Sequence, residues 1–145
     1  MSEWSFNGKL LDDADIPKAY GFLYVITHIP SGKRYLGRKY LTASKTRQVK
    51  GKKIKSRVEN DWREYWGSSP YLLEMIEKEG KENFKREIIL WSEGRGELNW
   101  LEVEMQVKLN VLRDDNWMNS NVSAKYYSKN ISKYQSIDDL ADSLK

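Results

Sequence analysis

Large side chains alternate between two faces over residues 19–28, with Phe22, Tyr24 and Ile26 on one face and Leu23 and Val25 on the other. A period of two predicts a half-buried strand. Pro30-Ser31-Gly32-Lys33 reads as a turn, and residues 33–38 as the returning strand. Residues 41–57 lack such a pattern. Only Val49 and Ile54 serve as larger apolar anchors beyond residue 45, which predicts a mobile basic loop with some helix near its start. Residues 58–66 suit a short helix bearing Trp62, Tyr65 and Trp66. Ser69 is a good N-cap and Pro70 fits the first helical position, where its missing N–H costs nothing. The helix they start is expected to run to about Glu79 and to stop at Gly80.

Phe84 to Trp91 predicts a third strand around Ile88, Ile89 and Leu90, and Gly94 and Gly96 mark a loop. Residues 97–113 predict the longest helix. Leu98, Leu101, Met105, Leu109 and Leu112 make one apolar stripe, and Trp100, Val103, Val107 and Val111 make a second on roughly the opposite side. Two stripes imply a helix sandwiched between layers. Ser136 to Leu144 predicts a last amphipathic segment capped by Ser136, and residues 1–18 read as a polar, irregular surface arm. The order strand, strand, helix, strand, helix predicts an α+β fold. It would be a small mixed α/β sandwich with a short, mainly antiparallel three-stranded sheet flanked by helices. The expected division is an arm over 1–18, a domain over 19–122 that includes the basic loop 41–57, and a C-terminal extension over 123–145.

Composition narrows the classes of function. A chain of 145 residues predicts one domain with a single core. It has no apolar run of transmembrane length, and Met1-Ser2-Glu3-Trp4 lacks the basic-then-apolar pattern of a signal peptide, so no membrane partner is expected. There is no cysteine for a disulfide or a thiolate site, and the one histidine, His28, excludes any centre that needs two imidazoles. A metal would be held by oxygen, which points to Mg²⁺ or Mn²⁺.

The net charge of +4 conceals a concentrated block. Lys33 to Arg57 contains eleven Lys or Arg residues and no acid. A polyanion is the usual partner of such a block. The aromatics Tyr35, Tyr40, Trp62, Tyr65 and Trp66 flank it, which favours nucleic acid over a merely solvated face. Arg38, Lys39, Lys45, Lys50, Lys52, Lys53, Lys55 and Arg57 are the candidate phosphate contacts.

Within the two predicted strands, Gly21-Phe22-Leu23-Tyr24-Val25-Ile26 and Arg34-Tyr35-Leu36-Gly37 set two tyrosines eleven residues apart. Tyrosine is common in strands, so neither would suggest chemistry alone. Together, with a glycine after the second and the basic block following at once, they resemble the two half-motifs of the GIY-YIG nuclease family. Gly67-Ser68-Ser69, Lys78-Glu79-Gly80 and Phe84-Lys85-Arg86-Glu87-Ile88-Ile89-Leu90 resemble the middle of its phage and homing members. The resemblance spans roughly Tyr20 to Asn119.

The resemblance implies roles. Tyr24 would be a general base, with Tyr35 beside it. A phenol has a pKa of about 10, so Tyr24 would need a nearby cation field, from Lys33, Arg34 or Lys39, or a metal-bound water. The first half-motif reads Phe-Leu-Tyr rather than Gly-Ile-Tyr, and the second reads Tyr-Leu-Gly. Family members carry an arginine about ten residues past the second tyrosine. Lys45 stands there, so Arg47 is the candidate phosphate-stabilising residue, with Arg38 and Arg57 as rivals. A planar guanidinium suits the phosphoryl transition state better than an ammonium. Tyr65 or Tyr40 could replace a histidine that some members use, since His28 reads as a strand-end surface residue.

A glutamate on the long helix should hold the metal. Glu102 and Glu104 point about 200° apart, so only one can face the site. Glu102, at the edge of the leucine stripe, is favoured. Asn119, or else Asn121, matches an asparagine expected to hold the site together through hydrogen bonds to backbone. The implied activity is that of a metal-dependent endonuclease hydrolysing phosphodiesters, expected in DNA with RNA not excluded. It would act as a monomer or homodimer in a cytoplasm, that of a bacterial host if phage-encoded. A basic nucleic-acid-binding protein without catalysis is the alternative, and a small protein that binds an acidic partner through residues 33–57 is the third reading.

Overall fold

The computed structural model describes residues 3–122 and 136–145. Most of the expected C-terminal extension, 123–135, lies outside the described residues, as do residues 1 and 2. The strands are β1 (Trp4–Phe6), β2 (Lys9–Leu10), β3 (Gly21–His28), β4 (Arg34–Tyr40), β5 (Thr42–Val49), β6 (Lys52–Glu59) and β7 (Phe84–Ser92). The α-helices are α1 (Pro70–Glu79), α2 (Arg95–Lys108) and α3 (Asp138–Ser143).

A mixed α/β architecture is present, but the main sheet differs from the three antiparallel strands expected. It has five, in the order β2-β1-β7-β3-β4, and β1 runs parallel to β7. The expected arm supplies the extra two. Asn7 and Gly8 both take positive φ, 53° and 79°, which is the two-residue turn whose twist matches a hairpin. Trp4 then buries itself in the core and donates its indole N–H to Trp62 O at 2.9 Å.

β3 is buried on both faces rather than half-buried. Phe22, Tyr24 and Ile26 pack with Leu72 and Ile76 of α1 and with Trp62 and Trp66. Leu23 and Val25 pack with Leu98, Leu101 and Met105 of α2 and with Ile137 and Ala141 at α3. Helices therefore cover both sides of the sheet. Trp62 and Trp66 belong to the core and are not free to stack on bases; the segment expected as a helix there is a single 3₁₀ turn, Trp62–Glu64. α2 stops at Lys108 and not near 113, so Leu112 lies beyond it, and it is likewise not sandwiched, because Val107 is exposed.

α1 begins where expected: Ser69 Oγ accepts from Leu72 N at 3.3 Å, and Gly80, with φ 91°, ends it. His28 is buried, not a surface residue. Its Nδ1 meets Ser31 Oγ at 2.6 Å and its Nε2 meets Glu79 Oε1 at 2.8 Å, which ties the β3–β4 turn to α1.

The expected mobile loop is a β-hairpin. β5 and β6 form their own two-stranded sheet in register from Thr42↔Glu59 to Val49↔Lys52. Lys50 and Gly51 turn it with φ of 52° and 76°, again the mirror-image turn that hairpins favour. All eight residues of β6 are exposed.

Candidate active site

Antiparallel pairing of β3 with β4 sets Tyr24 opposite Gly37 and Ile26 opposite Tyr35. Tyr24 and Tyr35 are therefore diagonal neighbours on one face, and their ring centres lie 6.3 Å apart. The glycine of the second half-motif makes room for this. A Cβ at Gly37 would fall 2.5 Å from the Tyr24 phenolic oxygen. On the other side, Gly67 takes φ 94°, and a Cβ there would fall 3.4 Å from the same oxygen and 3.7 Å from the Tyr35 ring. Pairing of β3 with β7 skips one residue between Leu23 and Tyr24, a bulge beside the phenol.

Tyr65 meets Tyr24 edge-on at 5.9 Å and shares a hydrogen bond with it. Lys39 Nζ sits 4.1 Å from the centre of the Tyr65 ring and pairs with Asp61 at 2.8 Å. Tyr24 is 1 % exposed. Burial, then the neighbouring Tyr65 and Tyr35, raise its pKa well above the usual phenol value. The cation field expected to lower it is not dominant. Arg34 turns away to stack on Trp117 at 4.4 Å and to donate to Leu144 O at 2.5 Å. Tyr35 is also raised, first by burial, against a hydrogen bond from Ser68 that lowers it.

The carboxylate reaches this cluster around the outer edge of β4. An edge strand presents unpaired N–H and C=O groups at every second residue, and side chains cover them here. Arg34 exchanges backbone bonds with Asn116 and Met118. Leu36 N donates to Asn119 Oδ1 at 3.0 Å, and Leu36 O accepts from Asn119 Nδ2 at 2.7 Å. Arg38 donates its backbone N–H to Glu102, and its guanidinium reaches the same carboxylate at 2.9 Å. Tyr40 O accepts from Asn60 Nδ2 at 2.8 Å. Asn119 thus acts as a one-residue substitute for a sixth strand. Asn121 is exposed.

Burial raises the pKa of the Glu102 carboxyl, and the Arg38 guanidinium only partly offsets it. Glu102 in turn pushes up Tyr35, and Arg38 pulls Tyr35 down, so the three act on one another. Glu104 instead adds to the field around Lys108. On the far side, Arg38 Nε donates to Asn99 Oδ1 at 2.5 Å, and Tyr40 Oη donates to the same oxygen at 2.7 Å. Burial raises Tyr40, but hydrogen bonds with Arg38, Arg95 and Asn99 outweigh it and lower the phenol overall.

Tyr24, Tyr35, Arg38, Lys39, Glu102 and Asn119 therefore converge on one stretch of β4. Arg47 does not. It lies five residues out from the base of the hairpin, about 17 Å along the strand, opposite Ile54. Lys45, Lys50, Lys52, Lys53 and Lys55 are exposed on the same hairpin, and Arg57 is spent on its base, donating to Thr42 Oγ1 and Thr42 O at 2.8 Å each. The guanidinium beside the carboxylate is that of Arg38. Ser68 and Asn99 were missed in the sequence. Asn99 was findable, since it stands three residues before Glu102 and so shares its helix face.

The donor set can be tested against an oxygen-loving cation. Among the described residues no group of three His, Cys, Asp or Glu forms a closed metal cage. Mg²⁺ does not require one: it is commonly held by one or two carboxylates, with substrate phosphates and water completing the octahedron. Glu102, half-sheltered at the edge of β4, fits that mode.

A family model described as "Putative endonuclease segE, GIY-YIG domain" matches residues 4–131 of the chain. No curated protein and no solved structure matches it.

Proposed function

The chain belongs to the GIY-YIG endonuclease family, and from that premise we propose that it is a divalent-metal-dependent endonuclease that hydrolyses phosphodiester bonds in DNA. The observation that carries this reading is the meeting of two phenols, a guanidinium and one carboxylate at the edge of β4. A binding protein without catalysis has no use for the two phenols and this carboxylate together.

In this proposal Arg38 rather than Arg47 faces the phosphate. Its fork holds Glu102 and Asn99 in the free protein, so it is already oriented before substrate arrives. Glu102 is the metal ligand. A divalent cation there would neutralise charge on the phosphoryl and leaving oxygens and acidify a bound water. Tyr24 takes the proton of the attacking water. A buried phenol with a raised pKa cannot wait as phenolate, so its own proton must leave as it accepts another. Tyr65, hydrogen-bonded to Tyr24 and only half-buried, with the Lys39 ammonium against its ring, relays it: its hydroxyl gives up its own proton to bulk water as it takes that of Tyr24. Tyr35 contacts the phosphate beside Arg38. Asn119 is a positioning residue that keeps β4 straight under both.

The test is cleavage of duplex, single-stranded and branched DNA and of RNA, each with Mg²⁺, with Mn²⁺ and with chelator. Cleavage that the chelator stops is the expected result. Binding without cleavage of any substrate would favour the non-catalytic alternative, which the sealed position of Tyr24 supports.

A further inference from the structure

The β5–β6 hairpin has two unlike faces. Paired residues share a face, so the register puts Ser44, Thr46 and Gln48 opposite Arg57, Lys55 and Lys53 on one side. Every side chain on that face can hydrogen-bond. The other side carries Ala43, Val49, Ile54 and Val58 among Lys45, Arg47 and Lys52. The ribbon is exposed along both strands, and an isolated two-stranded hairpin is marginal by itself. It holds seven cations, and its one acid, Glu59 at the base, is engaged by Arg63 and Trp62. Such a ribbon repels itself until a polyanion neutralises it.

We propose that this hairpin is a major-groove reading element for duplex DNA, laid with its hydrogen-bonding face on the base edges. Eight residues per strand span about 26 Å, and two strands fit a B-DNA major groove about 12 Å wide. Thr46, Gln48 and Lys53 meet base donors and acceptors. Lys45, Arg47 and Lys52 point away from the floor and are long enough to bend to the phosphates of the groove walls. The same ribbon cannot enter the deep, narrow major groove of A-form RNA. This rests on the nuclease reading only in taking nucleic acid as the substrate, and it selects duplex DNA.

The experiment is fluorescence anisotropy of the full chain on 24-base-pair duplexes in chelator. Methyl green competes for the major groove and netropsin for the minor groove. Methyl green should displace the protein and netropsin should not, and double-stranded RNA should bind at least tenfold more weakly. Thr46→Val with Gln48→Leu keeps charge and strand propensity. It should reduce discrimination among duplex sequences and leave the salt slope unchanged. Lys45→Ala, Arg47→Ala and Lys52→Ala together should lower the slope of log affinity against log salt by about three units on every sequence. Competition by netropsin alone, equal affinity for RNA, or unchanged sequence discrimination in the Thr46/Gln48 variant would overturn the proposal. Cleavage without methyl green competition would sink this inference alone, and competition without cleavage would sink the enzymatic reading alone.

Discussion

Tyr24 differs from phenylalanine by one oxygen, and that oxygen sits in a slot made by two glycines and Tyr65. Tyr24→Phe should therefore keep the fold and most of the affinity for DNA. Its cleavage rate should drop by about 10²–10⁴-fold, the usual worth of a general base; full activity in single-turnover assays would exclude the role. Glu102 allows a two-sided test. Its folded pKa lies above the unfolded value because of burial, so its charge costs stability at neutral pH, a cost that fades as pH falls through the raised pKa. Glu102→Gln should thus abolish metal-dependent cleavage and leave the melting temperature at pH 7 equal or higher, with the two proteins converging as pH falls below the ordinary carboxyl range. Glu104→Gln should do neither. A large loss of stability in Glu102→Gln would mean that the Arg38 pair is structural and its carboxylate not held for a cation.

At the scale of elements, β4 is an edge strand kept in shape by side chains, and Asn119 covers two of its backbone groups at once. Asn119→Ala should cost about 1–3 kcal/mol, because a buried N–H loses its partner, although Leu36 O keeps a bond from Gln106 at 3.3 Å. Chemical denaturation checks the stability, and hydrogen exchange at Leu36 should show the loss locally. The hairpin should behave the other way. Replacing Lys50, Lys52 and Lys53 with alanine should weaken binding and flatten its salt dependence, with cleavage at saturating enzyme nearly intact. Arg38→Ala should slow cleavage at saturation more than it weakens binding. A normal salt slope in the triple variant would show that the ribbon is only a solvated face.

For the whole molecule, the body and the hairpin are separable by burial. The body holds both core clusters, whereas β5 and β6 are exposed. Joining Thr42 to Glu59 through a two-residue turn should therefore shift stability by less than about 1 kcal/mol, or a melting temperature by under about 4 °C. Duplex affinity should fall at least tenfold in the same variant. A thermal melt and an anisotropy titration check the two halves. An unfolded product would mean that the contact of Arg57 over the Tyr20 ring, 4.8 Å from its centre, anchors the body as well as the hairpin.

Where burial writes a pattern into the chain, the sequence was enough. The strand period of β3, the Ser69-Pro70 start and Gly80 stop of α1, the apolar centre of β7 and the stripe Leu98, Leu101 and Met105 of α2 all follow from apolar faces meeting a core, although β3 meets one on both sides and not on the single side expected. So did the meeting of Tyr24 with Tyr35 on one face, and the placing of Glu102 rather than Glu104 beside β4, since both depend only on strand and helix periods. The two hairpins were harder. Asn7-Gly8 was a readable turn signal, yet β1 and β2 are too short to show a period. β5 and β6 bury neither face, so no alternation of hydrophobicity could mark them, and Lys50-Gly51 was the only cue. Tertiary structure alone decided which arginine meets the carboxylate. Counting ten residues past Tyr35 assumes a helix there. The chain instead continues as an edge strand, which brings Arg38 to α2 and carries Arg47 away on the ribbon. It also decided which way the Tyr24 pKa moves: the sequence offers three nearby cations, but the folded core surrounds the phenol with aromatic rings and glycine backbone, and desolvation raises it.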